Sequence, residues 1–256
     1  MDRIFEIFIS AGIEIMEKIE EIESASSKME ITGMGADGTP TRYIDKASED
    51  IFLKTVYEND LPYNIVSEEA GFIDRKYSQN LVVDPIDGTF NAHAGIPMYS
   101  ISIAVAGKTI GDSEKGFVMN LSNGEYFYSD RGRGAFRLNK KIRTSRESRG
   151  YFSLSADYAS DPLAKKLIGH ATKIRTLGCA SLELATLASG GIDMVAYLGS
   201  NNLLRNIDVA AGIAIVREAG GTVTERDGSE FDMDLDVRKR KNMMAFSSAD
   251  LMKVVL

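Results

Sequence analysis

Segments with helical spacing alternate with short apolar runs along this chain, and the alternation restricts it to a mixed α/β architecture. Apolar residues recur at helical spacing from Ile4 to Ile22, and a second helix is predicted from Tyr43 to Tyr57. Four apolar runs of strand length follow, at residues 64–66, 81–83, 101–105 and 116–119. The pair Asn123-Gly124 predicts a hairpin turn before a returning strand at 125–128. The first half is therefore predicted to be a helix pair and a sheet.

The pattern changes near Gly150, after which shorter strands and helices alternate. We predict strands at residues 151–154, 173–176, 192–197, 221–223 and 243–246. We predict helices after the Asp161-Pro162 cap, at residues 180–188, at residues 209–219 and at the end of the sequence. The chain should therefore form an N-terminal α+β subdomain, residues 1–150, and a smaller C-terminal α/β subdomain, residues 151–256, with the active site between them.

Residues 24–41 connect the two N-terminal helices, and their richness in Ser and Gly predicts a loop. Within this segment, residues 33–38 match the G-x-G-x-x-G pattern of dinucleotide-binding proteins. That pattern requires a preceding strand and a following helix, whereas a helix precedes it here and Thr39-Pro40-Thr41 follows. The context disfavours a nucleotide site and leaves a flexible loop near a functional site as the preferred interpretation.

The charge balance bears on the class of partner. With 37 acidic and 30 basic residues the formal net charge is −7, which argues against nucleic acid or an anionic membrane as the main partner. The basic run at residues 238–241 directly follows an acidic stretch at residues 232–236, so we predict that the two pair locally. Cys179 is the single cysteine, charges interrupt the first apolar segment too early for a signal peptide, and no apolar run is long enough for a bilayer. These features predict a cytoplasmic protein.

Acidic residues recur at the predicted ends of strands and starts of helices. Glu68 and Glu69 follow one strand, Asp84 and Asp87 end the next, and Asp208 begins a helix. Each has an ordinary explanation as a surface acid, a turn former or a helix cap, but such positions are also where α/β proteins collect functional groups. Carboxylate oxygens suit a hard divalent cation such as magnesium, and the few His and Cys residues disfavour zinc. Backbone N–H groups at residues 88–90 could hold an anion beside that cation, which points to phosphate chemistry.

Four blocks of the sequence together resemble the inositol monophosphatase superfamily of magnesium-dependent phosphatases. They are TRYID at residues 41–45, VSEEAG at 66–71, VDPIDGTFN at 83–91, and IDVAAG at 207–212 running on to EAGG at 218–221. The sequence of residues 35–41 is most similar to the archaeal branch, in which one protein often has both inositol monophosphatase and fructose-1,6-bisphosphatase activity. The resemblance implies a layered αβαβα sandwich of the sugar-phosphatase type, with a large antiparallel-rich sheet, and a homodimer.

The resemblance also implies the metal ligands. Glu68, Asp84 and the backbone carbonyl of Ile86 would bind the first Mg²⁺, and Asp84, Asp87 and Asp208 would bind the second. A third, weaker ion near Glu68 and Asp84 would depend on the preceding loop. Two or three Mg²⁺ ions are therefore expected, with Mn²⁺ as a possible substitute.

Catalysis and substrate binding are assigned by the same resemblance. Asp45 and Thr89 would orient and deprotonate the attacking water, which displaces the leaving group in line. The turn formed by Asp87, Gly88 and Thr89 would bind the reacting phosphate. Arg175 and Arg205 are the cationic candidates for binding a second phosphate of the substrate, with Tyr158 and Glu183 as polar partners.

Two departures from the family pattern bear on the substrate. Ile207 stands where many relatives have Trp, and Asn201 stands where inositol-specific members have an acidic residue. A broad or sugar-bisphosphate pocket is therefore favoured over strict selectivity for inositol. A phosphatase acting on inositol-1-phosphate or fructose-1,6-bisphosphate is the preferred interpretation. The alternatives are an adenosine 3′,5′-bisphosphate phosphatase and a non-catalytic protein that binds metal and phosphate.

Overall fold

The structure is a computed structural model that describes residues 1–23, 30–156 and 160–256. The α-helices are α1 (Arg3–Glu23), α2 (Tyr43–Glu58), α3 (Thr89–Ala94), α4 (Pro162–His170), α5 (Ala180–Ala188), α6 (Asn206–Glu218) and α7 (Ala249–Val255). The strands of the first half are β1 (Ile31–Met34), β2 (Pro40–Arg42), β3 (Asn64–Ser67), β4 (Gly71–Ile73), β5 (Asn80–Asp87), β6 (Ser100–Ala106), β7 (Lys115–Asn120), β8 (Tyr126–Asp130), β9 (Gly134–Arg137) and β10 (Lys140–Ile142). The strands of the second half are β11 (Tyr151–Ala156), β12 (Lys173–Arg175), β13 (Met194–Leu198), β14 (Thr222–Thr224) and β15 (Met243–Phe246).

Two sheets organise the molecule. The larger has eight strands in the order β10-β9-β8-β7-β6-β5-β3-β4, and only its β3–β5 pair is parallel among the described strands. The smaller has five strands in the order β12-β11-β13-β15-β14, with β11 parallel to both of its neighbours. The predicted antiparallel-rich sheet is confirmed. The division into subdomains at residue 150 stays a prediction.

Three clusters of buried side chains define the layers between these sheets. Phe5 and Phe8 of α1 and Phe52 of α2 pack on one face of the larger sheet. The second cluster places α5 and α6 between the two sheets, and the third places α4 and α7 on the outer face of the smaller sheet. The order of layers is therefore helix, sheet, helix, sheet, helix, and the predicted αβαβα sandwich is confirmed.

Helix α6 lies at the centre of this sandwich and carries Asp208 in its first turn. Residues 206–216 of α6 are all buried, as expected for a helix that is apolar on every side. Two glycines allow close packing around it. A Cβ on Gly116 of β7 would lie 2.5 Å from the carbonyl oxygen of Ala211, and one on Gly212 would lie 2.6 Å from Leu184 Cδ1. The backbone of α6 is thus fixed against both β7 and α5.

The loop predicted at residues 24–41 is only partly described, because residues 24–29 lie outside the described ranges. For the remainder the prediction is wrong, since β1 and β2 form an antiparallel hairpin. All four residues of β1 are exposed, so no apolar alternation marked the strand in the sequence. The G-x-G-x-x-G segment forms the end of β1 and the turn of this hairpin, residues 35–39, which we call the hairpin turn.

The basic run pairs locally only in part. Arg238 pairs with Asp236, and Lys239 pairs with Asp234, as predicted. Arg240 instead contacts Asp37 of the hairpin turn, 3.0 Å away, and Lys241 pairs with Glu225. Across the described ranges, no helix combines the length and the apolar character needed to cross a membrane.

Candidate active site

Glu68 and Asp84 are brought together by the parallel pairing of β3 and β5. The carboxyl ends of parallel neighbours meet at one edge of a sheet, and Glu68 follows β3 directly while Asp84 lies near the end of β5. The pairing of β5 with β6 is irregular between Asp84 and Asp87. The Asp84 carboxylate turns back onto its own backbone there, because its Oδ1 accepts a hydrogen bond of 3.0 Å from the Ile86 N–H.

Asp208 approaches the same edge from the middle helical layer. It is the third residue of α6, and its Oδ2 accepts a hydrogen bond of 2.7 Å from the backbone N–H of Arg205, which precedes the helix. This cap fixes the carboxylate at the positive end of the helix, where negative charge is favoured. The predicted carboxylates of the two halves of the chain therefore converge.

The guanidinium of Arg205 lies among these carboxylates. Its Nη2 is 2.8 Å from Asp208 Oδ1 and 3.6 Å from Asp84 Oδ2, its Nη1 is 3.0 Å from Asp37 Oδ2, and Nη1 also contacts Glu68 Oε1. Burial would lower the pKa of the Arg205 guanidinium, but the negative charges of Asp208, Glu68 and Asp84 raise it well above its ordinary value. The sequence predicted Arg205 as a ligand of a second phosphate, whereas the structure places it in contact with the predicted metal ligands.

Burial and mutual repulsion raise the pKa values of the carboxyl groups at the centre. Asp84 is 1% exposed, and burial followed by the charge of Glu68 raises its pKa well above the ordinary value. Burial and the charge of Asp208 raise the pKa of Asp87 to about 6. The pKa of Glu68 is raised by burial, even though Arg205 opposes the change. Carboxylates this close and this buried need added positive charge to ionise together.

This donor set fits a hard divalent cation. Its side-chain ligands are carboxylates, and Asp84 Oδ2 is buried without a hydrogen-bond partner within the described parts of the chain. In the same parts of the chain, no three His, Cys, Asp or Glu side chains already surround one ion-sized position. The carboxylates are present, and the Arg205 guanidinium contacts them in place of an ion.

Asp45 and Thr89 form a pair beside the carboxylates. Asp45 lies in the first turn of α2, and the Thr89 hydroxyl lies 3.0 Å from Asp45 Oδ1 and 3.1 Å from the Ile86 carbonyl oxygen. The single hydroxyl proton can serve one of these acceptors at a time. Burial, and then the charge of Glu68, raise the pKa of Asp45 to about 6. Asp45 can therefore exchange a proton near neutral pH.

Gly88 gives the turn between Asp87 and Thr89 its shape. Its φ of 89° is in the left-handed region, and α3 begins at the next residue. A Cβ at Gly88 would lie 2.9 Å from the Met98 carbonyl oxygen and 3.3 Å from the Gly178 carbonyl oxygen. A side chain cannot be accommodated here, so the turn presents backbone rather than side-chain atoms.

Ser181 and Cys179 hold Asp87, and the sequence predicted a role for neither. Asp87 Oδ2 accepts hydrogen bonds from the Ser181 N–H at 2.7 Å and the Ser181 hydroxyl at 2.6 Å. Cys179 Sγ lies 3.3 Å from the same oxygen. The only sequence signal is a small polar residue within the otherwise apolar start of α5.

Of the other predicted substrate residues, the two that the structure describes, Glu183 and Arg175, do not gather at the centre. Glu183 is 1% exposed, and its Oε1 accepts hydrogen bonds from the N–H groups of Leu177 and Gly178, so it supports the turn that packs against Gly88. Arg175 is exposed on the edge strand β12, with its guanidinium bonded to the Ile174 carbonyl oxygen. Tyr158 lies outside the described residues.

Asp37 is the other site residue that sequence reasoning missed. It accepts from Thr39 within the hairpin turn and from both Arg205 and Arg240 at 3.0 Å. Its Asp-Gly dipeptide indicated a turn but not the partner. The hairpin turn is thus tied to the acidic centre through the contact of Asp37 with Arg205.

Comparisons with known proteins agree with this geometry. The model of the inositol monophosphatase family matches residues 1–245. A fructose-1,6-bisphosphatase/inositol-1-monophosphatase of Thermococcus kodakarensis is 33% identical over 98% of this chain and 95% of its own length. A bifunctional NADP phosphatase/NAD kinase of Methanococcus maripaludis is 30% identical over 93% of this chain but only 46% of its own length. A solved structure from Pyrococcus horikoshii, described as similar to inositol-1 monophosphatase, superposes with a TM-score of 0.85 at 29% identity and covers 99% of this chain and 96% of that one.

Proposed function

The chain belongs to the inositol monophosphatase family and is a phosphatase, and we propose that it is a magnesium-dependent hydrolase of phosphate monoesters on small sugars or polyols. Fructose-1,6-bisphosphate and inositol-1-phosphate are the proposed substrates, as the names of archaeal relatives suggest. We further propose that it works in the cytoplasm as a homodimer. The observation that carries the proposal is that Glu68, Asp84 and Asp208 all approach the buried Arg205 guanidinium, beside the Asp45–Thr89 pair.

In this proposal, Glu68, Asp84 and the Ile86 carbonyl hold one Mg²⁺, and Asp84, Asp87 and Asp208 hold a second. Bound divalent cations supply positive charge to the phosphate oxygens and lower the pKa of a bound water. Support comes from the buried Oδ2 of Asp84, which has no hydrogen-bond partner in the part of the chain that the structure describes, and from the raised pKa values of the carboxylates. Asp87 keeps a fixed orientation through its hydrogen bonds to Ser181.

Asp45 and Thr89 position the attacking water and take its proton. The Thr89 hydroxyl donates to Asp45, so its own oxygen is free to accept a hydrogen bond from water. With a pKa raised to about 6, Asp45 is ionised at neutral pH and still basic enough to receive the proton. In this proposal the backbone N–H groups at Gly88 and Thr89 would face the reacting phosphate, and the packing of Gly88 against the Met98 and Gly178 carbonyl oxygens fixes the turn that carries them. Attack in line needs no covalent intermediate with the protein.

Substrate choice depends on groups outside the shared centre. Arg175 is exposed and carries no carboxylate partner among the described residues, so it is available to a second phosphate. We expect Arg175→Ala to raise the KM for fructose-1,6-bisphosphate about tenfold, the order of one lost charged hydrogen bond, and to leave inositol-1-phosphate nearly unchanged. An equal change in KM for both substrates would show that Arg175 does not bind the second phosphate.

The experiment that tests the proposal is phosphate release from a panel of substrates, with Mg²⁺ and with EDTA. The panel is inositol-1-phosphate, fructose-1,6-bisphosphate, adenosine 3′,5′-bisphosphate and NADP. NADP is included because the Methanococcus maripaludis relative is named a bifunctional NADP phosphatase/NAD kinase. NADP phosphatase is therefore the second candidate function. We expect Mg²⁺-dependent release from the first two, with kcat/KM at least about tenfold above the others. Release that persists in EDTA would contradict the role of the metal, and preference for NADP would replace the proposed substrate.

A further inference from the structure

The Arg205 guanidinium is bound by carboxylates of the protein itself, whereas a substrate-binding arginine would be free to bind a phosphate. Its side chain is only 15% exposed, and its guanidinium contacts carboxylates from the hairpin turn, from the end of β3 and from α6. Asp84 of β5 lies 3.6 Å away. A planar guanidinium with five N–H donors can serve several carboxylates at once, as it does here. Arg205 therefore neutralises the same oxygens that the proposed cations use.

The guanidinium and a divalent cation exclude each other. Mg²⁺ binds its oxygen ligands at about 2.0–2.1 Å in octahedral geometry, which draws the carboxylates close together. The guanidinium lies within hydrogen-bond distance of Glu68 and Asp208, so it bonds to carboxylate oxygens that such an ion would need as ligands. Two positive groups so close would also repel each other.

Arg205 can leave without disturbing the start of α6. The backbone N–H of Arg205, not its side chain, caps Asp208 Oδ2 at 2.7 Å. Any residue at position 205 other than proline keeps that donor. The side chain can thus be displaced or shortened while Asp208 keeps its place in the helix.

We propose that Arg205 is a built-in counter-ion of the acidic centre, which holds the carboxylates together in the metal-free protein and is displaced when a divalent cation binds. The inference rests on the proposed function, because it concerns the same carboxylates. It adds that the Arg205 guanidinium competes with Mg²⁺ for the same carboxylates. Arg205 therefore lowers the affinity for Mg²⁺ and stabilises the metal-free fold. Displacement also releases the contact of Arg205 with Asp37, which leaves Arg240 as the remaining arginine partner of Asp37.

The test compares Mg²⁺ binding by isothermal titration calorimetry in the unmodified protein and in Arg205→Gln. The matched control is Arg238→Gln, which removes an exposed guanidinium that pairs with Asp236, away from the acidic centre. We expect Arg205→Gln to bind Mg²⁺ about tenfold more tightly, the order of one lost charge-assisted hydrogen bond, and Arg238→Gln to be unchanged. We also expect the Tm of Arg205→Gln to fall in EDTA and to recover toward that of the unmodified protein in saturating Mg²⁺.

Unchanged or weaker Mg²⁺ binding by Arg205→Gln, with equal loss of Tm in EDTA and in Mg²⁺, would overturn the inference and leave the proposed function intact. Absence of Mg²⁺ binding in every protein would overturn both. If Arg205→Gln does not fold, Arg205→Lys keeps the charge but loses the planar fork, and the inference predicts tighter Mg²⁺ binding for it too. An affinity of Arg205→Lys equal to that of the unmodified protein would then count against the inference.

Discussion

Asp84, Asp87 and Asp45 are three carboxylates with three different surroundings, and the surroundings decide what each can do. Among the described residues, Asp84 Oδ2 is buried without a hydrogen-bond partner, 3.6 Å from Arg205 Nη2, which suits its proposed role as a ligand of both ions. Asp87 has one oxygen satisfied by Ser181, which suits a ligand held in a fixed orientation. Asp45 faces the Thr89 hydroxyl, which suits a group that handles a proton.

Asp45→Asn tests this division of roles. The amide keeps the size of the side chain but cannot accept a proton, so we expect kcat to fall at least about a hundredfold, the usual range for loss of a general base. Mg²⁺ affinity, measured by calorimetry, should stay within about twofold. An equal loss of Mg²⁺ affinity would instead make Asp45 a metal ligand.

Local turn chemistry placed Asp84 and Asp87 at the end of a strand, whereas Asp45 was assigned only by the resemblance of the block at residues 41–45. Asp37 and Arg240 could not be found in this way. Their contact joins positions 203 apart, and the contact of Arg205 with Asp37 joins positions 168 apart. Charged side chains far apart in sequence can choose among many partners, and only the fold decides which they meet.

At the level of elements, the position of α6 determines whether the site forms at all. α6 carries Asp208 and lies between the two sheets, where its backbone touches β7 at Gly116. Apolar periodicity predicted the long helices and the buried strands, because burial imposes the pattern. The β1–β2 hairpin was missed because its first strand is fully exposed, so backbone hydrogen bonds form it without any apolar signal.

Gly116→Ala tests the close packing of α6. The added methyl would lie 2.5 Å from the Ala211 carbonyl oxygen, so α6 or β7 must shift. We expect the free energy of unfolding to fall by about 1–3 kcal/mol, the usual cost of overpacking, as measured by denaturant unfolding. Gly169→Ala is the control, because a Cβ there meets nothing within 4 Å in α4, and it should be neutral or slightly stabilising. Equal stability of the two variants would contradict the close contact.

For the molecule as a whole, the acidic centre is a place where several layers bring buried negative charges close together. Residues from the hairpin turn, the larger sheet and the middle helical layer all contribute to it. The resemblance of four short blocks predicted the αβαβα sandwich, whereas the sequence alone left the order of its layers open. The two subdomains, residues 1–150 and 151–256, stay a prediction, since the central core cluster contains residues from both.

The stability of the metal-free protein should depend on pH for this reason. Burial, followed by nearby negative charge, raises the pKa of Asp45 and Asp87 to about 6, above the value near 4 expected in an unfolded chain. The folded state then binds more protons than the unfolded state, so the stabilisation is present below about pH 4 and is lost as pH rises through about 6. We expect the Tm in EDTA to be lower at pH 7.5 than at pH 5.5, and saturating Mg²⁺ to remove or reverse the difference. A higher Tm at pH 7.5 in EDTA would contradict the account.

The turnover of Asp84→Asn at saturating Mg²⁺ tests most directly whether the acidic centre is a metal-dependent hydrolytic site. The substitution keeps the shape of the side chain and removes the charge proposed to support both cations. We expect kcat to fall at least about a hundredfold on fructose-1,6-bisphosphate and on inositol-1-phosphate alike, while circular dichroism shows that the fold is retained. Near-normal turnover of a folded Asp84→Asn at saturating Mg²⁺ would contradict this expectation.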